Sequence, residues 1–208
     1  MLGLPKSTEL SRQLPKKAIY TRFGLNTAGR NRFDADISRI TIVNEVSPST
    51  VAIAPGESIK SFYVLLVALK HKKYDERLIG QLSKLIDQNM LFILDCDDKS
   101  QLAVYHGKVI TSGWKPGERL TITLKGQDMD AVWQNIIMQV GDIYIEQGRT
   151  LDEQLAFDEQ QSALEDEIDR LEKLAWKETQ PKKKFELAQK INEFKEQLSE
   201  FGNESRCN

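Results

Sequence analysis

Residues 59–94 read IKSFYVLLVALKHKKYDERLIGQLSKLIDQNMLFIL, and this stretch decides the fold. Residues 59–69 are apolar on both faces, the pattern of a central strand covered on two sides. Asp75 then starts a helix with Leu78, Ile79, Leu82, Leu85 and Ile86 on one face. Residues 90–94 form a second strand apolar on both faces. A strand, a crossover helix and a second strand imply a parallel pair with a right-handed connection.

Working outward, residues 39–46 read as a strand with Ile40 and Ile42 on one face and Arg39 and Thr41 on the other. Ser47-Pro48-Ser49 and Ala54-Pro55-Gly56 punctuate the next stretch as loops. Residues 7–14 read as a short helix, capped by Ser7 or Thr8 and ended by Pro15. Residues 16–36 are basic, with Tyr20, Phe23 and Phe33 interspersed, and Gly24 and Gly29 break any long element. Downstream, a turn at 95–100 leads into residues 101–110, and residues 119–124 alternate as a half-exposed strand. Asp128 caps a helix carrying Val132, Trp133, Ile136, Ile137 and Val140. These elements predict an α+β fold: a mixed, mainly antiparallel sheet of about five strands with flanking helices.

The last sixty residues predict a helical hairpin. Leu164, Ile168, Leu171 and Ala175 step by four, three and four. After a turn at Thr179-Gln180-Pro181, Leu187, Ile191, Phe194, Leu198 and Phe201 step by four, three, four and three. That is coiled-coil spacing, and a seam of this kind needs a partner. The partner is the other helix, the body of the protein, a second copy or another protein. Leu164, Ile168, Leu171, Leu187, Ile191, Phe194 and Leu198 are therefore the candidate partner-binding residues. Thr150 and Glu153 form a capping box in front of the hairpin. The organisation expected is a globular domain over residues 1–148 and a charged helical hairpin over 149–208.

The chain carries 208 residues and a formal net charge of −2. Charge is unevenly spread. Residues 1–33 hold seven Lys/Arg against one acid, and residues 150–208 hold nine basic against fifteen acidic residues. The basic end suits phosphate or an acidic surface; the acidic end suits solvent, a basic partner or the protein's own opening segment. Lys16, Lys17, Arg22, Arg30 and Arg32 are the candidate nucleic-acid contacts, with Tyr20, Phe23 or Phe33 available to stack on bases. The alternative is that these aromatics pack on the sheet while the cations are solvated. Cys96 and Cys207 form neither a disulfide framework nor a zinc pattern. No leader sequence and no apolar run of membrane-spanning length is apparent, so a cytoplasmic protein is expected.

Catalytic signals are sparse. Asp87 followed by Asp97-Asp98-Lys99 has the spacing of Mg²⁺-dependent nucleases of the restriction type, in which acids hold the metal and lysine helps activate water. Asp97 and Lys99, however, fall in a polar turn between apolar strands, where Asp and Lys are ordinary hairpin residues. His71 sits at a solvated strand end and His106 inside a strand, and no nucleophile motif accompanies either. Gly-rich phosphate loops are absent. Asp128 and Asp130 offer a cation site or, more simply, a helix N-cap and a dipole partner. No cofactor and no metal site is expected.

The chain resembles an uncharacterised bacterial family, domain of unknown function 4391. The resemblance is carried by Leu2-Gly3-Leu4-Pro5, by Phe33-Asp34-Ala35-Asp36-Ile37 and by the apolar strand ending in Leu69-Lys70. The helix before Met90-Leu91-Phe92, the segment from Leu102 to Lys108 and Asp130-Ala131-Val132-Trp133 continue it. It covers most of residues 1–145, with the charged tail following. It implies a neighbourhood of DNA methyltransferase and helicase genes in restriction-like cassettes, and no functional residue is carried over. The function expected is a non-enzymatic accessory protein of a bacterial DNA-modification or defence system, docking a helicase or methyltransferase, with DNA as a further candidate ligand. The alternatives are a Mg²⁺-dependent nuclease using Asp87, Asp97 and Lys99, and a homodimeric structural protein.

Overall fold

The central strands are apolar on both faces because both faces are covered. The computed structural model describes residues 2–204, with side chains through residue 199. Cys207 and the side chain of Phe201 lie outside the described residues. The chain divides into two compact units, Met1–Ile143 and Tyr144–Asn208.

The first unit is built on one mixed sheet. Strands β1 (Glu9–Gln13), β2 (Ile37–Val46), β3 (Phe62–Leu69), β4 (Asn89–Cys96), β5 (Lys99–His106) and β6 (Lys108–Thr111) lie side by side in that order. Two-residue β7 (Lys115–Pro116) pairs with β5. All pairs are antiparallel except β3 with β4, where Leu65 sits opposite Phe92 in a parallel ladder. The crossover between them carries α3 (Arg77–Leu82), whose Leu78, Ile79 and Leu82 are buried. Just ahead of this helix, the Asp75 carboxylate accepts the Arg77 N–H at 3.0 Å.

Side chains alternate across β3, which sorts the helices between the faces. Leu65 and Val67 join Ile40, Ile42, Phe92 and Leu94 in one cluster, closed by α1 (Lys16–Arg22), α2 (Thr27–Asp36) and α3. Ile19, Phe33, Ile79 and Leu82 are the anchors from those helices. On the other face Phe62 meets Trp133 of α4 (Met129–Gly141), with ring centroids 5.2 Å apart. Helix α4 buries Val132, Trp133, Ile136, Ile137 and Val140, and the Asp128 carboxylate caps it by accepting the Ala131 N–H at 2.8 Å. Five such side chains at about 1.5–3 kcal/mol each make this helix a large share of the gross hydrophobic stabilisation.

Four local expectations are corrected. Residues 7–14 do not form a helix: Lys6–Thr8 make one 3₁₀ turn, and β1 follows as an edge strand. Thr8 is buried and donates to the Pro5 carbonyl at 2.7 Å while accepting from Asn44 of β2 at 2.8 Å, so a long-range partner overrides the local signal. Residues 16–36 carry two helices: Gly24 breaks the run as expected, but Gly29 lies inside α2 and does not. Gly24, with φ 57°, turns the chain after α1, and Asn26 caps α2 through the Gly29 N–H. Residues 101–110 are a hairpin of β5 and β6, turned at Gly107 with φ 69°.

Residues 119–124 alternate in burial as expected, with Leu120 and Ile122 buried, yet they are not a strand. Among the described residues no sheet strand runs beside them; Thr121 makes only an isolated bridge with Leu2. The Ile122 N–H instead donates to the Leu2 carbonyl at 3.0 Å. The Gln139 side-chain amide serves both backbone groups of Thr123, at 2.9 and 2.8 Å.

The second unit is a helical hairpin of α5 (Leu151–Lys177) and α6 (Pro181–Glu204). Thr150 and Glu153 make the capping box, with the Thr150 N–H donating to the Glu153 carboxylate at 2.7 Å. Ahead of it Arg149 pairs with Glu146 at 2.6 Å and lies 3.8 Å over the Phe157 ring. In the link, the Glu178 carboxylate accepts the N–H groups of Thr179 and Gln180, both at 2.9 Å. Among the described residues, no helix is long and apolar enough to cross a membrane.

Candidate phosphate-binding cleft

A cleft of about 670 Å³ opens where the parallel strands β3 and β4 begin. Three segments build it: the end of α1 with Arg22, the loop entering β3 with Ser58, Lys60 and Ser61, and the link from α3 to β4 with Ser83, Lys84 and Asp87. Arg22, Lys60 and Lys84 face one acid, Asp87, so the lining is net cationic.

The loop entering β3 is held rigidly by a residue outside the cleft. Asp130, in the first turn of α4, accepts the N–H groups of Glu57 at 2.7 Å, Ser58 at 3.2 Å and Ile59 at 2.7 Å. Those bonds hold its carboxyl below the usual range, the Ile59 N–H contributing most. The Met129 N–H donates to the Ala54 carbonyl at 3.0 Å, fixing the loop's other end. Gly56 permits the approach: a Cβ there would stand 2.5 Å from the Asp130 carboxyl carbon. Lys60 reaches back over this loop, donating to the Gly56 carbonyl and, at 3.0 Å, to the Glu57 carbonyl. Its charge is thereby fixed at the cleft wall. Arg22 is set by Ile19, one turn earlier and fully buried. Ser83 closes the end of α3 by donating to the Gly80 carbonyl at 2.9 Å. The cleft so offers two cations without a protein partner among the described residues, Arg22 and Lys84, beside a third already oriented by carbonyls. Neither histidine nor cysteine lines it. What lines the cleft is charge, hydroxyl and amide groups, the kinds of group that receive an anion.

The five N-terminal cations are placed differently from one another. Lys16 donates to Asp34 and to the Ile37 carbonyl, each at 2.6 Å, and stands 5.9 Å from the Phe33 ring centre. Asp34 also accepts from the Tyr20 hydroxyl at 2.6 Å. The Lys16 and Tyr20 bonds hold the Asp34 carboxyl below its ordinary range. Burial, followed by Asp34, pushes the Tyr20 hydroxyl up to about 12. Arg30 donates to the Leu25 carbonyl at 2.9 Å and lies 5.6 Å from the Tyr20 ring centre. Tyr20, Phe23 and Phe33 pack against the core cluster. Lys17 is exposed, Arg32 borders a separate cavity with Asp36, Asp75 and Arg77, and Arg22 alone of the five lines the cleft.

The nuclease-like spacing is not assembled. Asp87 precedes β4 and lines the cleft, whereas Asp97 lies in the turn after β4 and Lys99 begins β5. The eight residues of β4 at about 3.3 Å each separate them by roughly 26 Å. Asp97 has φ 56°, which marks it as a turn residue. Among the described residues, no group of three His, Cys, Asp or Glu could hold a metal ion. His71 is exposed at the end of β3, and His106 ends β5 opposite Lys108. Cys96 is buried, and burial followed by Asp97 pushes its thiol up, which makes it a poor nucleophile. Asp128 and Asp130 serve as N-cap and loop clamp.

In the hairpin, the candidate partner-binding residues meet each other. Ile168, Leu171 and Ile191 are buried together, with Leu187, Phe194 and Leu198 packed on them. Leu164 is half-buried. Off this seam, Leu174, Trp176 and Phe185 are 44 %, 87 % and 64 % exposed.

A family model described as domain of unknown function 4391 matches residues 2–198. The chain belongs to this family. The match runs well past residue 145, where the sequence resemblance was expected to end. The family therefore spans the sheet unit, the cleft segments and most of the hairpin. No curated protein and no solved structure matches the chain. Sequence reasoning named Arg22 but missed Lys60 and Lys84. The available signal was a hydroxyl-flanked lysine at the entry to each buried strand, Ser58 to Ser61 before β3 and Ser83-Lys84 before β4.

Proposed function

We propose that this protein is a non-enzymatic binding module that holds nucleic-acid phosphate in the cleft at the start of β3 and β4. The observation that carries this reading is the convergence of Arg22, Lys60 and Lys84 on one polar cavity. Cations on a cleft wall attract phosphate by charge and release its counterions, while the serine hydroxyls and the Gln88 and Asn89 amides supply orientation. The hairpin docks a protein through its off-seam apolar residues. A helicase or methyltransferase partner, in a bacterial DNA-modification or defence setting, is the identity that the family resemblance suggests.

The test is fluorescence anisotropy of labelled DNA and RNA oligonucleotides with the full chain between 50 and 200 mM salt (roughly the range where such contacts dominate). Each phosphate contact contributes about 0.7–0.9 to the slope of log affinity against log salt. The pair Arg22→Gln and Lys84→Gln is expected to lower that slope by about 1.4–1.8. Absence of any salt-dependent binding at the low end removes the reading.

A further inference from the structure

The cleft has an apolar neighbour. A second cavity, of about 730 Å³, shares Ile86 with it and runs over the helical face of the sheet. Two rails connect them. Along α1 the lining passes from Arg22 in the cleft to Ala18 and Ile19 in the second cavity, about 6 Å up the helix. Along the chain entering β3 it passes from Ser61 to Tyr63, about 6.6 Å of extended backbone. Both rails are one nucleotide long, phosphate to base. Both volumes fall within the roughly 300–1,000 Å³ of small-ligand sites.

The linings change in character along these rails. The cleft is cationic and polar. The groove is walled by Leu14, Ala18, Ile42, Leu85 and Ile86 with the Tyr63 ring among them. Arg12 and Glu45 also border it, a donor and an acceptor; Glu45 stands opposite Tyr63 across the β2–β3 ladder. A cationic pocket beside an apolar slot, the two sharing Ile86, with an aromatic wall and a few polar groups, suits a phosphate attached to a planar, edge-polar ring.

Resting on the phosphate reading above, we infer that the cleft and groove together take one unpaired nucleotide, its phosphate between Arg22 and Lys84 and its base in the groove beside Tyr63. A base stacked and paired in a duplex cannot enter such a slot without being flipped out, so single strands bind and intact duplexes do so only through the weaker phosphate contact.

The test compares four probes on the full chain: a single-stranded deoxythymidine oligonucleotide, an abasic oligonucleotide of equal length, a duplex of equal length, and thymidine monophosphate. The single strand is expected to bind about tenfold tighter than the abasic strand or the duplex, the size of one base–aromatic stack. Ala18→Leu, an exposed helical site that fills the groove with a good helix former, is expected to reduce the single strand to the abasic level. It is expected to leave abasic binding unchanged. Competition by the monophosphate at similar affinity assigns the site to a free nucleotide; binding of the strand alone assigns it to a strand segment. Equal affinity for abasic and normal strands overturns the groove assignment and leaves the phosphate reading standing, as does a single strand indifferent to Ala18→Leu. Failure of every probe overturns both.

Discussion

Lys16→Gln separates a cation that holds the fold from one that meets a ligand. The substitution removes the Asp34 ion pair at 2.6 Å, the hydrogen bond to the Ile37 carbonyl at 2.6 Å and the cation 5.9 Å from the Phe33 ring centre. The ion pair is partly solvated, with side-chain exposures of 26 % and 44 %, so it contributes about 0.5–1 kcal/mol after screening. The carbonyl bond adds about 1 kcal/mol and the ring contact about 0.5 kcal/mol at such an exposed site. Water recovers part of this. Asp34 is not stranded, because Tyr20 still donates to it and solvent reaches it. The net loss expected is about 1–2 kcal/mol. A unit of this size unfolds with about 0.3 kcal/mol/K of entropy, so the Tm of the sheet unit falls by roughly 3–7 °C.

Calorimetry on the full chain reads the stability change, and the salt slope of oligonucleotide binding reads the contact. Lys16→Gln is expected to lower Tm and leave the slope unchanged. Arg22→Gln is expected to do the reverse, because Arg22 has no protein partner among the described residues. A Lys16→Gln protein with unaltered Tm and a slope reduced like that of Arg22→Gln refutes the reasoning: Lys16 would then leave Asp34 in solution and serve phosphate.

Three further outcomes are expected. Thr8→Val strands the Asn44 amide, which is 4 % exposed, and costs about 1–3 kcal/mol in denaturant unfolding; adding Asn44→Leu recovers part of it, and strict additivity of the two losses would sink the pairing. Tyr20 titrates at about 12 in the folded protein against 10 unfolded, so its neutral form contributes stability fully below pH 10 and loses it as pH rises toward 12. Tyr20→Phe is expected to flatten that alkaline decline, followed by tyrosinate absorbance beside unfolding, and an unchanged decline would contradict the assignment. Asp97→Gly relieves a φ of 56° and is expected to stabilise by about 0.5–1 kcal/mol, whereas a destabilised variant would show that the Asp97 side chain does more than turn the chain.

What could be read from the sequence follows from how far each signal travels. Strands β3 and β4 announce themselves because every residue they bury is in their own run. Strand β1 does not: all five of its residues are exposed, so no burial period exists, and its identity comes from pairing with β2 some thirty residues on. Residues 119–124 show the converse error. Their alternation is real, because Leu120 and Ile122 are buried, but alternation reports burial and not pairing. The pairing there is done by Leu2 and by a glutamine side chain. The cleft is illegible for the same reason. Lys60 and Lys84 are far apart in the chain and meet because β3 and β4 run parallel and start at the same edge, and Arg22 joins them through the packing of α1 on the sheet.

The hairpin shows where periodicity stops being evidence for a second molecule. Spacing by four and three locates a stripe on each helix, and the stripes fill one another: Ile168, Leu171 and Ile191 are buried by the hairpin itself. The seam therefore explains why α5 and α6 pair. The residues left over bear on a partner. Trp176 is 87 % exposed and Phe185 64 %, although each could bury a large apolar area at a contact. Anything that covers the two aromatic rings stabilises the hairpin by mass action, so a docking partner is expected on Trp176 and Phe185.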